Sequence, residues 1–433
     1  MKKILFILIL TIPFIGFGQS WEQTYGGIDA DLGSSVQQTS DSGYIITGWT
    51  NSFGIGQQDV WLIKTDGNGN EQWTKTFGGT YTDEGFSIQQ TNDGGYIITG
   101  SKVTVLNGYS DLYLIKTDGN GNEQWTKTFG GSRSDGGYSV QQTDDGGYVI
   151  TGYYSDLKQI YVYLIRTDEN GNEQWSKTFG NQQVESSGHT VQQSSDGGFI
   201  IVGRTYSIIN ESFDIYLIKT DGSGNEQWTK SLGGINHVEG FSLDITSNDE
   251  YIICGNKRNS VIGDSDIYLM KTDGNGDSLW TKTFGGNQFE LSYSVKETTD
   301  NGYIILGETE SFGSGKTDFY LIKTDENGNY EWSQTYGGVE DDYGSSLDIT
   351  SDGGFILCGV TESFGINIQE DIWLIKTDDQ GNITSTFEIP LPNPNRKLEK
   401  TINLNGQEII PQTNQPIVEI FDDGSTQKKI IIE

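Results

Sequence analysis

Seven tryptophans set the frame for this chain. Trp21, Trp73, Trp125, Trp175, Trp228, Trp280 and Trp332 recur at intervals of 52, 52, 50, 53, 52 and 52 residues. Two further runs keep the same register. An aromatic-Leu-(Ile/Met)-(Lys/Arg)-Thr-Asp run occurs seven times, first at 61–66 and last at 373–378. A Tyr/Phe-Ile-Ile-x-Gly-type run ends at Gly48, Gly100, Gly152, Gly203, Gly255, Gly307 and Gly359. A unit this short cannot bury its own apolar face, so a fixed period near 52 signals a solenoid or a propeller. The 59 Gly and 12% aromatics agree with strands joined by tight turns and leave no room for a helical bundle.

Each period holds four strand candidates. In the second they are 86–91, 96–101, 111–117 and 123–129, with turn residues Asn92-Asp-Gly-Gly95 and Asp118-Gly-Asn-Gly-Asn122 between them. Short β-rich runs with hairpin turns predict a four-stranded antiparallel blade. The expected fold is all-β, a seven-bladed β-propeller of four-stranded antiparallel blades over 19–387, whose closed ring leaves no open sheet edge. A β-solenoid is the rival, with coils that are usually shorter. There are eight outer-strand candidates for seven blades. The eighth, 382–387, has Ser385 where Trp is expected. The outermost strand of the last blade is therefore expected to be Trp21–Tyr25, beside Asp371–Thr377.

The two ends read differently. Residues 1–18 have the form of a secretory signal peptide: Lys2-Lys3, an apolar stretch to Phe17, and Gly16 and Gly18 before a cut at Gln19. The stretch is short for a membrane span, so no integral membrane segment is expected in the mature chain. No proline falls between 19 and 389, as suits nearly continuous sheet. Pro390, Pro392 and Pro394 mark 388–397 as a stiff linker, and 398–433 as a small C-terminal β module. A net charge of −33 repels phosphate backbones, so nucleic acid is excluded as a partner. Two Cys and two His argue against disulfide frameworks, zinc and haem.

Several motifs compete for a chemical reading. The turn Asp66-Gly-Asn-Gly-Asn70 begins like a calcium loop, but a calcium EF-loop needs Gly at its sixth position and Glu at its twelfth, where Glu71 and Phe77 stand. It reads as a hairpin with Gly69 in the left-handed conformation. No cofactor is expected, and calcium is only the alternative. A second acidic series, Asp31, Asp83, Asp135, Glu185, Glu239, Glu290 and Asp342, precedes the innermost strands and would ring one channel mouth. It is either a cation or basic-ligand site or a set of turn carboxylates repeated with the fold. His189 and His237 fall in equivalent loops without a recurring acid partner, and no catalytic residue or metal site stands out. The connections between second and third strands differ in every blade: 50–58, 101–110, 153–160, 204–213, 256–265, 308–317 and 360–370. With Trp49 just before the first of them, they carry Phe53, Tyr109, Tyr153, Tyr154, Tyr206, Phe312 and Phe364, and these eight are the candidate ligand contacts.

Two resemblances follow from these motifs. Asp93-Gly-Gly-Tyr-Ile-Ile-Thr-Gly100 and its near copy at 145–152 resemble the tandem DGGYIITG-type repeat proteins of Bacteroidetes, secreted and of β-propeller type. Residues 398–433 resemble the type A C-terminal sorting domain of the type IX secretion system, through 398–408 and the closing 421–433 run with Asp-Asp-Gly and Lys-Lys-Ile. This implies export by the type IX machinery to the cell surface or medium. The function expected is a secreted or surface binding module for an extracellular glycan or protein. A polysaccharide hydrolase or lyase and a structural spacer are the alternatives.

Overall fold

The computed structural model describes residues 20–104, 108–157, 159–181, 183–234, 236–258, 264–365, 369–383, 397–402, 416–421 and 426–430. The signal-peptide reading of 1–18 and most of the 388–397 linker lie outside them. The chain divides into compact units at 1–384 and 385–433. Among the described residues every regular element is a strand, and no helix is long and apolar enough to cross a membrane.

The first unit is a ring of seven four-stranded antiparallel blades. In six of them the strands follow chain order from the channel outward, as in Asp31–Gln38, Tyr44–Thr50, Asp59–Thr65 and Glu71–Phe77. The seventh takes its outermost strand from the other end of the ring. Trp21–Tyr25 pairs with Asp371–Thr377, Trp21 opposite Lys376 and Tyr25 opposite Ile372. The displaced candidate 382–387 is described only at 382 and 383.

The third strand of each blade is almost wholly buried, because both its faces meet neighbouring blades. The core is accordingly seven seams between blades, not one centre. Ile45, Val60 and Leu62 of the first blade pack on Ile88, Tyr96, Ile98 and Tyr113 of the second. The closing seam is built likewise from Ile356, Ile372 and Leu374 against Val36, Tyr44 and Trp61. The hairpin glycine explains the tryptophan period. Gly121 has φ 72°, and a Cβ there would lie 2.5 Å from Trp73 of the preceding blade. Gly69 sits on Trp21 in the same way, so the closing strand behaves as a true seventh outer strand.

Polar contacts repeat as faithfully. In the Asp-Gly-Gly turn, Asp93 accepts from the Thr91 hydroxyl, the Gly95 N–H and the buried Lys116 ammonium at 2.9 Å. Equivalent pairs join Lys64 to Asp41, Arg166 to Asp145, Lys219 to Asp196, Lys323 to Asp300 and Lys376 to Asp352, while in the fifth blade Lys271 pairs instead with Glu250, which stands at the Gly95 position. Around the channel, each hydroxyl after the inner-strand bulge clasps the next blade. The Val140 N–H donates to Ser87 Oγ at 3.3 Å, and the Val36 N–H to Ser346 Oγ at 3.3 Å across the closure.

The second unit, described by itself, is a three-stranded antiparallel sheet of Leu398–Ile402, Pro416–Phe421 and Thr426–Ile430. Pro416 opens its strand, a position where a missing N–H is tolerated.

Candidate functional site

Every inner strand carries a β-bulge at the same place, between residues such as Gly85 and Ser87. A bulge adds one residue and re-aims a side chain. Here it turns Ser34, Phe86, Tyr138, His189, Phe241, Tyr293 and Ser345 into the channel cavity, whose volume is about 1160 Å³. The glycine within the second strand is required by this bulge. A Cβ on Gly100 would lie 1.8 Å from the Glu84 carbonyl oxygen.

The bulge residues break the sevenfold symmetry. Blades two to six contribute a continuous arc of rings. Centroids are 5.6 Å apart for Phe86–Tyr138, 5.5 Å for Tyr138–His189, 4.9 Å for the stacked His189–Phe241 pair and 5.9 Å for Phe241–Tyr293. Blades seven and one supply only Ser345 and Ser34, so the arc has a gap. Tyr153 extends it at 5.5 Å from Tyr138. The residue after the second-strand glycine differs in all seven blades: Trp49, Ser101, Tyr153, Arg204, Asn256, Glu308 and Val360. Tyr153, Arg204, Glu308 and Val360 line the cavity.

Charge is placed unevenly. Arg204 donates to Glu239 at 2.7 Å and Glu185 at 3.2 Å and lies 4.6 Å over Phe213. Lys296 stands 3.9 Å from Asp244. Glu308 accepts from the Tyr293 hydroxyl at 3.4 Å. Burial, then the nearby Glu310 and Asp341, push its carboxyl up to about 7. Tyr343 lines the same sector, where burial and then Asp341, Glu362, Glu308 and Glu370 raise its phenol to about 12. His189 Nδ1 lies 2.9 Å from the Gly240 carbonyl and Nε2 3.1 Å from Ser187 Oγ. Burial, then Arg204, hold its pKa down to about 4. A Ser–His contact therefore exists at the cavity, but the imidazole is a weak base at neutral pH.

The sequence-derived candidates fall in other places. Phe53, Phe312 and Phe364 are partly exposed and cap the third-strand rings Trp61, Tyr320 and Trp373 at 5.1, 5.4 and 4.9 Å. They repeat in three adjacent blades as one loop type. Tyr154 packs on Tyr163, and Tyr206 on Phe213, both at 5.4 Å. Tyr109 meets Arg133, and Trp49 is half-buried in its strand. Of the eight, Tyr153 alone lines the cavity.

The acidic series also separates. Asp31, Asp83, Asp135, Glu290 and Asp342 are buried and do not line the channel. Asp135 accepts from the Gly131 and Ser155 N–H groups at 2.6 and 2.7 Å, and Glu290 from Gly286 at 2.7 Å and Thr309 at 2.8 Å. Asp31 and Asp342 are bonded alike, to Gly27 and Gly338 at 2.8 Å, while Asp83 pairs with Lys102. Glu185 and Glu239 are not their equivalents, because Ser186 and Val238 hold that position, two residues before Gly188 and Gly240. The two glutamates flank it by one residue and meet at Arg204. The histidines are not equivalent either. His189 is a bulge residue aligned with Phe241, whereas His237 pairs with Arg258 at the start of its strand. In the hairpins, each first-position Asp accepts two backbone N–H groups of its own loop, as Asp66 does from Asn68 and Asn70 at 2.9 Å. Among the described residues no group of three or more His, Cys, Asp or Glu is gathered as a metal site. Cys254 and Cys358 are buried free thiols.

No protein-family profile matches the chain. The Regulatory protein FlaEY of Caulobacter vibrioides is 27% identical over 199 residues, a stretch covering 40% of this chain and 20% of that protein. The chain thus spans about a fifth of that relative's length. Among solved structures, an ulvan lyase of family PL25 superposes with a TM-score of 0.54 at 10% identity, covering 83% of this chain and 97% of that one. The Pan2 WD40 domain of Neurospora crassa gives 0.50 at 13%, covering 84% and 98%. A puromycin hydrolase gives 0.50 at 10%, covering 90% and 58%. At these identities they establish the propeller fold and nothing finer.

Proposed function

We propose that this protein is an exported binding module that takes its ligand at the channel mouth beside the variable connections. The observation that carries the reading is the aromatic arc. The bulge itself and the hairpin glycine seated on tryptophan keep sevenfold symmetry, yet the bulge position holds five rings in succession and then two serines. A fold-driven position would repeat, whereas a site that must match one ligand departs from the repeat. Half-buried rings grouped around a cavity supply apolar contact area at low entropic cost. The test is a glycan and protein array probed with the full chain and with Phe241→Ala and Tyr138→Ala. Both substitutions should abolish the signal, and an unchanged signal overturns the site.

Export by the type IX route belongs to the same proposal, supported by the resemblance of 398–433 to a sorting domain. A chain lacking 398–433 should stay in the periplasm with its propeller folded, and normal surface delivery would refute it. A hydrolytic role is the second reading, supported by the Ser187–His189 contact. Loss of ester hydrolysis on Ser187→Ala, with binding retained, would establish it.

A further inference from the structure

The connections between second and third strands and those between blades share one face. The Asn51 N–H donates to the Ala30 carbonyl at 3.0 Å, Tyr206 to Glu185 at 2.8 Å and Glu310 to Phe289 at 2.8 Å. Among the described residues twelve large hydrophobic side chains are at least partly exposed, and ten of them stand on these connections. The other two, Leu279 and Tyr330, are on outermost strands. Six of the ten are aliphatic: Ile28, Ile55, Leu157, Ile208, Ile209 and Val339, with Ile209 at 94% exposure. Aliphatic side chains offer a sugar neither a ring face to stack on nor a hydrogen bond. Apolar side chains concentrated on one face of a soluble ring mark a surface that docks protein.

The centre of that face carries a second constraint. Arg204, the cation lining this end of the cavity, has carboxylate neighbours, as does Lys296 at the hairpin end, while Glu308, Glu370 and Tyr343 line the sector beside the gap in the arc. The whole chain carries −33. A ring quadrupole and a carboxylate acting together favour an organic cation, and an acidic patch steers a basic partner in. We infer that the ligand is a protein that seats a Lys or Arg side chain in the channel mouth and covers the surrounding loops with apolar surface. This rests on the mouth being the binding site.

A phage-displayed random peptide library panned on the immobilised full chain tests it, with chitohexaose as a neutral sugar probe. Enriched peptides should carry Lys or Arg beside apolar residues. Their affinity should fall at least tenfold on Glu308→Gln/Glu370→Gln, and severalfold on the exposed change Ile209→Ser. Enriched peptides without a basic residue, or equally tight on the Gln variant, overturn the inference. Chitohexaose binding that Phe241→Ala removes, with no peptide enriched, overturns the partner class and leaves the mouth site standing. Basic peptides that bind unaffected by both Phe241→Ala and the Gln variant overturn the mouth site itself. No binding of either probe at millimolar concentration overturns both.

Discussion

The two faces of the ring were built from one repeat and have diverged to different degrees. On the hairpin face, all seven Asp-Gly-Asn-type turns close with the same two N–H bonds to the carboxylate of their first Asp, and each glycine rests on a tryptophan of the blade before it. On the opposite face one loop type recurs in three blades, and the rest have gone their own ways. Contacts that repeat around a ring are those the ring needs to close. Positions released from the repeat are where a particular ligand can be accommodated. Within the channel the same contrast holds over a few residues: the hydroxyl that clasps the next blade is conserved as Ser or Thr, while the bulge residue just before it varies from Ser to Phe, Tyr and His.

The contrast can be broken most severely at the closure. Removing 20–25 exposes the edge of Asp371–Thr377 and should eliminate most of the net stability, on the order of 5–15 kcal/mol for a domain. Urea unfolding of the full chain and the truncation measures this; a near-native midpoint would show that the ring does not depend on its clasp. Next comes the hairpin face. Gly121→Ala places a Cβ on Trp73 in a left-handed backbone and should cost about 2–4 kcal/mol. Ligand affinity of the folded fraction should be unchanged. At the mouth the signs reverse: Phe241→Ala should lower affinity at least tenfold while costing less than about 2 kcal/mol of stability.

A smaller effect is readable in pH. His189 is held near 4, so between pH 6.5 and 4 the unfolded chain binds a proton that the folded chain refuses. Stability should therefore decline as pH falls through that window. His189→Phe, which copies Phe86 and Phe241, should remove that limb of the decline, as urea midpoints at pH 7 and 4.5 would show. The Asp–Lys pairs act lower. Asp93, Asp196 and Asp300 stand at the surface, where partial desolvation alone would raise them, but their hydroxyl, ammonium and N–H donors hold them to about 2. Their contribution is intact above the usual carboxylate range and lost as pH drops through about 2. The smallest effect belongs to Asn120→Ala on the hairpin tip, within about 0.5 kcal/mol and without consequence for ligand.

The ring was legible because its cause is periodic. Seven copies of every inner strand against eight outer candidates pointed to Trp21–Tyr25 as the seventh blade's outer strand. The candidate site was not legible because its cause is a bulge. Strand parity without it gives no reason for Phe86 or Tyr293 to enter the channel. The signal was present in the aligned column Ser34, Phe86, Tyr138, His189, Phe241, Tyr293 and Ser345, the residue after the inner-strand Gly or Ser. Attention to loops instead selected Phe53, Phe312 and Phe364, whose rings cap their own blades. Glu185 and Glu239 count in the acidic series because it is aligned only to within one residue, and the register shows what that one residue changes.

The closing strand also imposes an order in time. Trp21–Tyr25 leaves the ribosome long before Asp371–Thr377, its partner, exists. Six blades can be complete while the seventh lacks an edge, and the pairing that finishes it spans nearly the whole ring. Loop-closure entropy grows only slowly with such a span, so the cost is chiefly one of waiting. Long-range pairing of this kind makes for slow folding. Once formed, the same strand must be pulled free before any blade at the seam can open, so it acts as a latch on the unfolding rate.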